Sequence, residues 1–247
     1  FYTSLCIIFN IGNEFTLRAN DVQVVNEAVH LQQNWIFVAI PKTGTTSIRK
    51  QTIQRGRPLV PNPHLNILQI KDAIKVFFLR ENLATNTNYP SNHIKSYSEI
   101  QDDALRFFDQ SFKFSCVRNP WERAVSLYYR KEGIKVSDSL SFEEFIKNHF
   151  YASDTCVHPT LHRNQIDWLC DESGIILMDY IFKLEEFESA IKHISDCTKG
   201  KLNLQFRMEN KNDASQSTDY RSLYNDECRK MIQKRFEKDI DHFKFSF

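Results

Sequence analysis

The segment Trp35–Ser47 has the sequence WIFVAIPKTGTTS. Its first six residues, Trp35–Ile40, form a continuous apolar run, which is typical of a strand buried on both faces of a sheet. Pro41 and Gly44 then favour a turn, and the residues from about Ser47 to Arg55 favour a helix. Because a buried strand that leads through a short loop into a helix is the repeating unit of α/β proteins, this segment predicts an α/β fold.

The loop in this segment has the composition of an anion-binding site. Backbone N–H groups at the start of a helix, with the partial positive charge there, favour an anionic ligand. Lys42 supplies a full charge beside Gly44, and hydroxyl donors come from Thr43, Thr45, Thr46 and Ser47. The loop of nucleotide triphosphatases, G-x-x-x-x-G-K-[ST], has its lysine after the last glycine, whereas Lys42 precedes Gly44. The loop therefore predicts a ligand of the phosphate type, and a Gly-Thr turn without a ligand is the alternative.

A second strand–helix junction carries further ligand-binding candidates. Residues Phe112–Val117 are predicted to form a strand, and Arg118 follows at its carboxyl end, where ligands collect in open α/β sheets. Residues 119–122 (NPWE) are typical of a capped helix start, with Asn at the cap, Pro at the first position and Glu three residues after the cap. Ser126 lies two turns into that helix, so we expect it to face the same ligand as Arg118.

The remaining pattern completes the predicted architecture. Further strands are predicted at Ile74–Leu79 and Ile175–Met178. Helices are predicted at Ser96–Phe108, Phe142–His149 (opened by a capping box of Ser141 and Glu144), Leu184–Ile194 and about Asp226–Ile240. The alternation predicts a three-layer α/β fold, with a central, mostly parallel sheet and helices on both faces. Residues 1–34 are predicted to be a lead-in packed on the domain, and residues 35–247 a single domain.

Composition excludes several classes of protein. The chain has 247 residues, of which 41% are hydrophobic and 26% charged, as in a globular protein rather than a disordered one. A net charge of +1 argues against a nucleic-acid binder, and the longest apolar run is far too short to span a membrane. The six cysteines include no C-x-x-C pair, and N-x-[ST] is absent. These features favour the cytoplasm, with the Golgi lumen as the alternative for a chain released from an N-terminal anchor.

Together, the segments Pro41–Ser47 and Arg118–Ser126 resemble the sulfotransferases that use 3′-phosphoadenosine 5′-phosphosulfate (PAPS). Within that group the chain is most similar to the carbohydrate branch of the heparan and chondroitin type and its bacterial relatives, over roughly residues 35–247. The resemblance implies that the first segment is the P-loop-like strand–loop–helix for the 5′-phosphosulfate. It implies that Arg118 and Ser126 bind the 3′-phosphate. The implied reaction moves a sulfuryl group to a hydroxyl of a carbohydrate or small alcohol and releases PAP, with Lys42 offsetting leaving-group charge and no metal.

The resemblance also implies a general base and leaves some positions unmatched. His93 stands at the family's position for the base, and His64 is its main rival. Ser47 stands where some relatives have a Trp that stacks on adenine. The Arg-Lys-Gly triplet that grips the 3′-phosphate in cytosolic relatives has no copy here, and its candidate substitutes are Arg207, Lys211 and Arg221.

Three other interpretations remain open. The chain could be a P-loop kinase or nucleotide hydrolase, in which Asp179, after the apolar run at 175–178, would bind magnesium. It could be an inactive module that binds sulfated or phosphorylated ligands. His158 and His162, with Cys156 nearby, could form a zinc site, although Pro159 lies between the two histidines and no third ligand is evident.

Overall fold

A computed structural model describes residues 23–52, 54, 56–86, 95–129, 138–149, 163–205 and 219–247. Six strands occur there: β1 (Gln23–Val24), β2 (Val29–His30), β3 (Trp35–Val38), β4 (Arg57–Pro58), β5 (Phe112–Val117) and β6 (Tyr180–Lys183). The helices are α1 (Thr45–Arg49), α2 (Ile67–Asn86), α3 (Tyr97–Gln110), α4 (Pro120–Tyr128), α5 (Phe142–His149), α6 (Phe187–Cys197), α7 (Asp226–Arg235) and α8 (Glu237–Phe243). Short 3-10 turns lie at Ile166–Trp168, Leu184–Glu186 and Tyr220–Leu223.

Four strands form one sheet in the order β2-β3-β5-β6. Strand β2 runs antiparallel to β3, whereas β3, β5 and β6 are parallel to one another. The register places Val38 opposite Ser115 and Val117 opposite Lys183, so these three strands end at one edge of the sheet. Strands β1 and β4 form a separate parallel pair. The combination of helices with this sheet confirms the predicted α/β class.

Alternate residues of β3 face two different hydrophobic clusters. Ile36 and Val38 lie in a cluster with residues of α2, α3, α4, α5 and α7. Trp35 and Phe37 lie in a second cluster with residues of α1, β6 and α6. Residues before Trp35 also contribute, since Val25 and Val29 are buried in the first cluster. The predicted domain bounds stay a prediction.

The predicted strand at Ile74–Leu79 is wrong, because these residues lie inside the helix α2. The run is rich in β-branched and aromatic residues, which favour a strand over a short window. Over 20 residues, however, the buried side chains recur at helical spacing, at Ile67, Ile70, Ile74 and Phe77. The helical period therefore overrides the local preference.

Two other predicted elements are displaced. Residues 175–178 contribute only an isolated bridge between Cys170 and Ile176, and the strand is β6, which begins at Tyr180. The predicted C-terminal helix is interrupted at Phe236, which ends α7 and precedes α8. Phe236 is almost fully buried, and its backbone is not helical, with φ of −113° and ψ of 30°.

The helix starts follow the sequence closely. The predicted capping box of α5 is confirmed, since Glu144 N–H donates to Ser141 Oγ at 3.2 Å and Ser141 N–H donates to the Glu144 carboxylate at 2.8 Å. Asn119 caps α4 by accepting from Trp121 N–H at 3.0 Å. Within the described part of the chain, no helix has both the length and the apolar composition that spanning a membrane requires.

Candidate active site

Two loops leave the sheet side by side at the carboxyl ends of β3 and β5. The parallel pairing of Phe37 with Phe114 and of Val38 with Ser115 sets this arrangement. Ser115 Oγ also donates to the Val38 carbonyl at 2.8 Å. As a result, the predicted anion-binding loop and Arg118 begin at neighbouring positions on one edge.

The first loop holds a tight backbone conformation. Both Lys42 and Gly44 have positive φ angles, of 69° and 78°. Gly44 is the N-cap of α1, and a Cβ atom there would lie 2.6 Å from Leu184 Cδ1. Glycine adopts this left-handed backbone without strain, and a side chain at this position would have to displace the end of the Leu184 side chain.

The hydroxyls of this loop differ in what they can offer a ligand. Thr43 is buried, and its Oγ1 donates to the Ile40 carbonyl at 2.9 Å, so its hydroxyl holds the turn together. Thr45 and Ser47 are also buried, whereas Thr46 is partly exposed. Ser47 N–H donates to the Gly44 carbonyl at 3.1 Å. The first N–H groups of a helix have no acceptor within it, and in α1 these belong to Thr45 and Thr46.

Part of the positive charge predicted around the loop is already paired. Arg49, at the end of α1, donates through Nε to the Glu27 carboxylate at 2.8 Å. Glu27 lies before β2, outside the strand–loop–helix segment, so the sequence of the loop does not indicate this ion pair. Lys42 is half-buried at the start of the turn and remains the cation closest in sequence to Gly44.

Arg118 is held by its backbone, and its side chain is 22% exposed. Its N–H donates to Gln165 Oε1 at 2.9 Å, and its carbonyl accepts from Gln165 Nε2 at 2.8 Å. Its Nε lies 3.4 Å from the Glu122 carboxylate. Glu122 was expected to complete the helix cap, but it faces Arg118 instead. Ser126 is half-buried on the same helix, α4.

A buried carboxylate, Asp239, is connected to Arg118 through Gln165, and the sequence analysis did not identify it as part of the site. Asp239 is fully buried and accepts from the backbone N–H groups of Gln165 at 2.7 Å and Ile166 at 2.9 Å. Burial raises the pKa of the Asp239 carboxyl; the two backbone hydrogen bonds and the charge of Arg123 oppose that rise. Asp239 therefore orients Gln165, and Gln165 fixes the backbone of Arg118.

Arg123 connects the two loops directly. Its side chain is only 4% exposed, and its Nε donates to the Pro41 carbonyl at 3.0 Å. Its guanidinium lies 5.9 Å from the centre of the Phe236 ring. The pattern R-N-P-x-x-R at 118–123 was the available signal for this residue, because a second arginine on a largely buried helix needs an internal partner.

The structure describes one of the two candidate bases, His64, and not the other. His93 lies outside the described residues. His64 lies beside the first loop, where its Nδ1 is 2.7 Å from the Ala39 carbonyl. Of the candidate substitutes for the missing triplet, Arg207 and Lys211 lie outside the described residues, and Arg221 pairs with Asp219 at 3.1 Å.

The other predicted features lie away from this edge or outside the described chain. Asp179 accepts from Lys113 N–H at 2.7 Å beside the start of β5, at the opposite edge of the sheet. The zinc candidates at 156, 158 and 162 are not among the described residues. Among those that are, no group of three His, Cys, Asp or Glu side chains could hold a metal ion.

An open cavity of about 700 Å³ lies next to the turn at Ile166–Trp168 and α8. Its lining includes four carboxylates, against one lysine and one histidine: Asp167, Asp171, Glu172, Asp241, Lys238 and His242. Such a surface repels anions, so this cavity is not where an anionic ligand is expected to bind.

Comparison with known proteins gives one match. Residues 28–246 match the model of a family described as the sulfotransferase family. No curated protein and no solved structure matches the chain.

Proposed function

This chain belongs to the sulfotransferase family and acts in sulfuryl transfer, and we propose that its donor is PAPS and its acceptor a hydroxyl of a carbohydrate or small alcohol. The observation that carries the proposal is the hydrogen bond of 3.0 Å from Arg123 to the Pro41 carbonyl. It joins two loops that both suit anions, so a donor with one anionic group at each end fits across them. The proposed site is the P-loop-like unit of a three-layer fold.

In this proposal the two loops bind different ends of the donor. Lys42, Gly44 and the first N–H groups of α1 hold the 5′-phosphosulfate, together with Thr46. Thr43 and Ser47 support the loop, because Thr43 Oγ1 donates to the Ile40 carbonyl and Ser47 N–H donates to the Gly44 carbonyl. Thr45 binds the donor through its backbone N–H. Arg118 and Ser126 hold the 3′-phosphate. Gln165 bonds to the Arg118 backbone on both sides, so the backbone from which the guanidinium extends is already ordered before the donor binds.

The proposed chemistry is an in-line displacement at sulfur. The acceptor oxygen forms a bond to sulfur as the bond to the bridging oxygen of PAP breaks. Lys42 offsets the negative charge that grows on that bridging oxygen. A histidine takes the proton of the attacking hydroxyl, since its pKa lies near neutrality. The family resemblance assigns this role to His93, and the scheme needs no metal.

The kinase alternative is disfavoured by the position of Asp179. Its carboxylate accepts the Lys113 N–H at the start of β5, whereas the anion loop lies at the other end of the strands. A magnesium ligand there would be too distant to act on a nucleotide in the loop. Sulfuryl transfer to any acceptor would exclude the alternative of an inactive binding module.

Thermal unfolding tests the donor assignment. PAP or PAPS at 100 times its Kd should stabilise the fold by about 2.7 kcal/mol, which corresponds to a rise in Tm of roughly 5–10 °C for a chain of this size. The rise should not need magnesium, and ATP should have much less effect. A magnesium-dependent response to ATP without a response to PAP would support the kinase alternative instead.

A further inference from the structure

A histidine and a cysteine meet on the exposed side of α6. His193 and Cys197 are four positions apart in this helix, so their side chains lie on the same face, one turn above the other. Both residues are exposed, and Cys197 Sγ lies 3.4 Å from His193 Nε2. The helix therefore brings one sulfur and one ring nitrogen together at its surface.

The separation of these two atoms suits the chelation of a metal ion. Zinc binds cysteine sulfur at about 2.3 Å and histidine nitrogen at about 2.0–2.1 Å in tetrahedral geometry, which sets the two ligand atoms about 3.5 Å apart. The observed separation of 3.4 Å differs little from that value. A single ion can therefore reach both Sγ and Nε2 with only a small adjustment of the two side chains.

An aromatic ring packs against the imidazole. The ring centres of His193 and Tyr180 lie 4.2 Å apart, and the Tyr180 ring stacks on that of Phe182, which is buried in the second hydrophobic cluster. Burial raises the pKa of the Tyr180 hydroxyl, and the charges of Glu186 and Cys197 add to that rise, so the phenol belongs to the same group of side chains. Because this packing limits the orientations of the imidazole, less side-chain entropy is lost when a metal ion binds.

The end of α6 favours a cation over an anion. The last carbonyl groups of a helix carry a partial negative charge, and Cys197 is the final residue of α6. The last turn of this helix contains Asp196 and no basic residue. Lys192 and Lys199 are exposed on either side of the pair in the sequence and oppose the binding of a cation. We therefore expect a lower affinity than that of a zinc site with four protein ligands.

The other described cysteines are less suited to a metal ion. Cysteine binds zinc as the thiolate, so the thiol must lose its proton. Burial raises the pKa of the Cys116, Cys170 and Cys228 thiols and opposes that loss. Among the cysteines that the structure describes, Cys197 is the exposed one.

We propose that His193 and Cys197 bind one Zn²⁺ ion, with water molecules completing its coordination. Cys197 Sγ releases its proton to solvent as the sulfur–metal bond forms, and His193 binds through the lone pair of Nε2. The ion links two successive turns at the end of α6. Tyr180 is the first residue of β6, whereas the anion loop follows the last residues of β3, so this site lies at the opposite end of the sheet from the proposed donor site.

Absorption spectroscopy with Cd²⁺ as the probe tests the sulfur ligand. Cadmium bound to a thiolate absorbs in the ultraviolet through charge transfer from sulfur, so the reduced protein should gain this absorption with the first equivalent of Cd²⁺. Cys197→Ser should lose the absorption of that first equivalent. Cys170→Ser is the matched control, because Cys170 is a partly exposed thiol that lies beside carboxylates. It should keep the absorption.

Calorimetry with Zn²⁺ tests the nitrogen ligand. His193→Gln keeps a good helix former at an exposed position and removes the ring nitrogen. It should keep the Tm and bind Zn²⁺ at least tenfold more weakly, since the loss of contacts that only support a metal ligand already costs that much. His242→Gln is the matched control, because His242 is an exposed histidine in the last turn of α8. Its Zn²⁺ affinity should equal that of the wild type.

Each outcome decides for or against the zinc site. Absorption of the first equivalent of Cd²⁺ that persists in Cys197→Ser, or an unchanged Zn²⁺ affinity in His193→Gln, overturns the inference. Loss of that absorption in Cys156→Ser but not in Cys197→Ser also overturns it and supports the zinc candidates at 156, 158 and 162. A wild-type protein that binds neither ion overturns it as well. The donor assignment is tested separately, because Zn²⁺ should leave the PAP affinity unchanged.

Discussion

Replacement of Arg123 by methionine tests whether the two loops of the site are mechanically connected. Methionine has nearly the length of the arginine stem and preserves the packing against Phe236. It removes the Nε donor that reaches the Pro41 carbonyl at 3.0 Å. It also removes the buried positive charge that opposes the rise in the pKa of Asp239.

The magnitude follows from the burial of both partners. Arg123 is 4% exposed and Pro41 is buried, so the abandoned carbonyl has little access to water. A hydrogen bond to a charged group in such a place contributes about 1.5–3 kcal/mol. We therefore expect the Tm to fall by roughly 3–12 °C. The affinity for PAP should fall about tenfold, because the Lys42 turn is no longer held in its binding conformation.

Calorimetry with PAP, well below the Tm of the variant, measures the affinity separately from the stability. Arg123→Lys should recover part of the affinity, since its ammonium can also donate to the Pro41 carbonyl. The control is Arg106→Met. That arginine is exposed and pairs with Asp103 on α3, so its loss should change the stability by less than about 0.5 kcal/mol.

A normal PAP affinity in Arg123→Met, alongside a lowered Tm, would refute the connection. Arg123 would then stabilise the core without positioning the loop. A loss of affinity in Arg106→Met of the same size would also refute it, because the effect would not depend on contact with the loop.

Four further predictions concern single residues of the site. Arg118→Ala should weaken PAP binding by roughly 10- to 150-fold in calorimetry, with little change in Tm because its contact with Glu122 is a partly exposed ion pair. Gly44→Ala should lower the stability by about 1–2 kcal/mol from its left-handed backbone alone, with a further loss from the contact with Leu184, both measured by urea unfolding. Asp239→Asn removes a carboxyl whose folded pKa is raised above its ordinary 3.8. The wild type should therefore lose stability relative to the variant as the pH rises from 3.8 through the raised pKa. Urea unfolding of both proteins across that pH interval measures this difference. No such trend would mean that the Asp239 carboxyl is not desolvated. His93→Ala should keep its PAP affinity and lose roughly 100- to 10,000-fold in single-turnover transfer from labelled PAPS, whereas near-normal transfer would remove it as the base.

Local pattern was sufficient for the elements that position the site. The predicted strand at residues 112–117 matches β5, and the apolar run from Trp35 matches β3 to within two residues. The caps at Asn119 and Ser141 also formed as expected. These features depend on residues within four positions of one another, so short-range sterics and hydrogen bonding determine them.

The secondary-structure predictions failed where a segment could adopt either of two local structures and tertiary packing selected one of them. The run Ile74–Leu79 has strand-forming residues, but burial against the core along one face makes it part of α2. Phe236 interrupts a charged C-terminal pattern that would otherwise continue as one helix. In both segments the free energy of burying side chains exceeds the small differences in intrinsic propensity.

The sequence by itself determined the class of fold, the two segments that are proposed to bind the donor, and the resemblance to sulfotransferases, because each of these depends on contiguous residues. Only the tertiary structure decided how these segments are joined. The Arg123–Pro41 bond spans 82 positions, and the Gln165–Asp239 bond spans 74. Such contacts depend on which strands become neighbours in the sheet, and no local spacing encodes that choice. The same reason explains why the position of His64 beside Ala39 could not be inferred before the strands were placed.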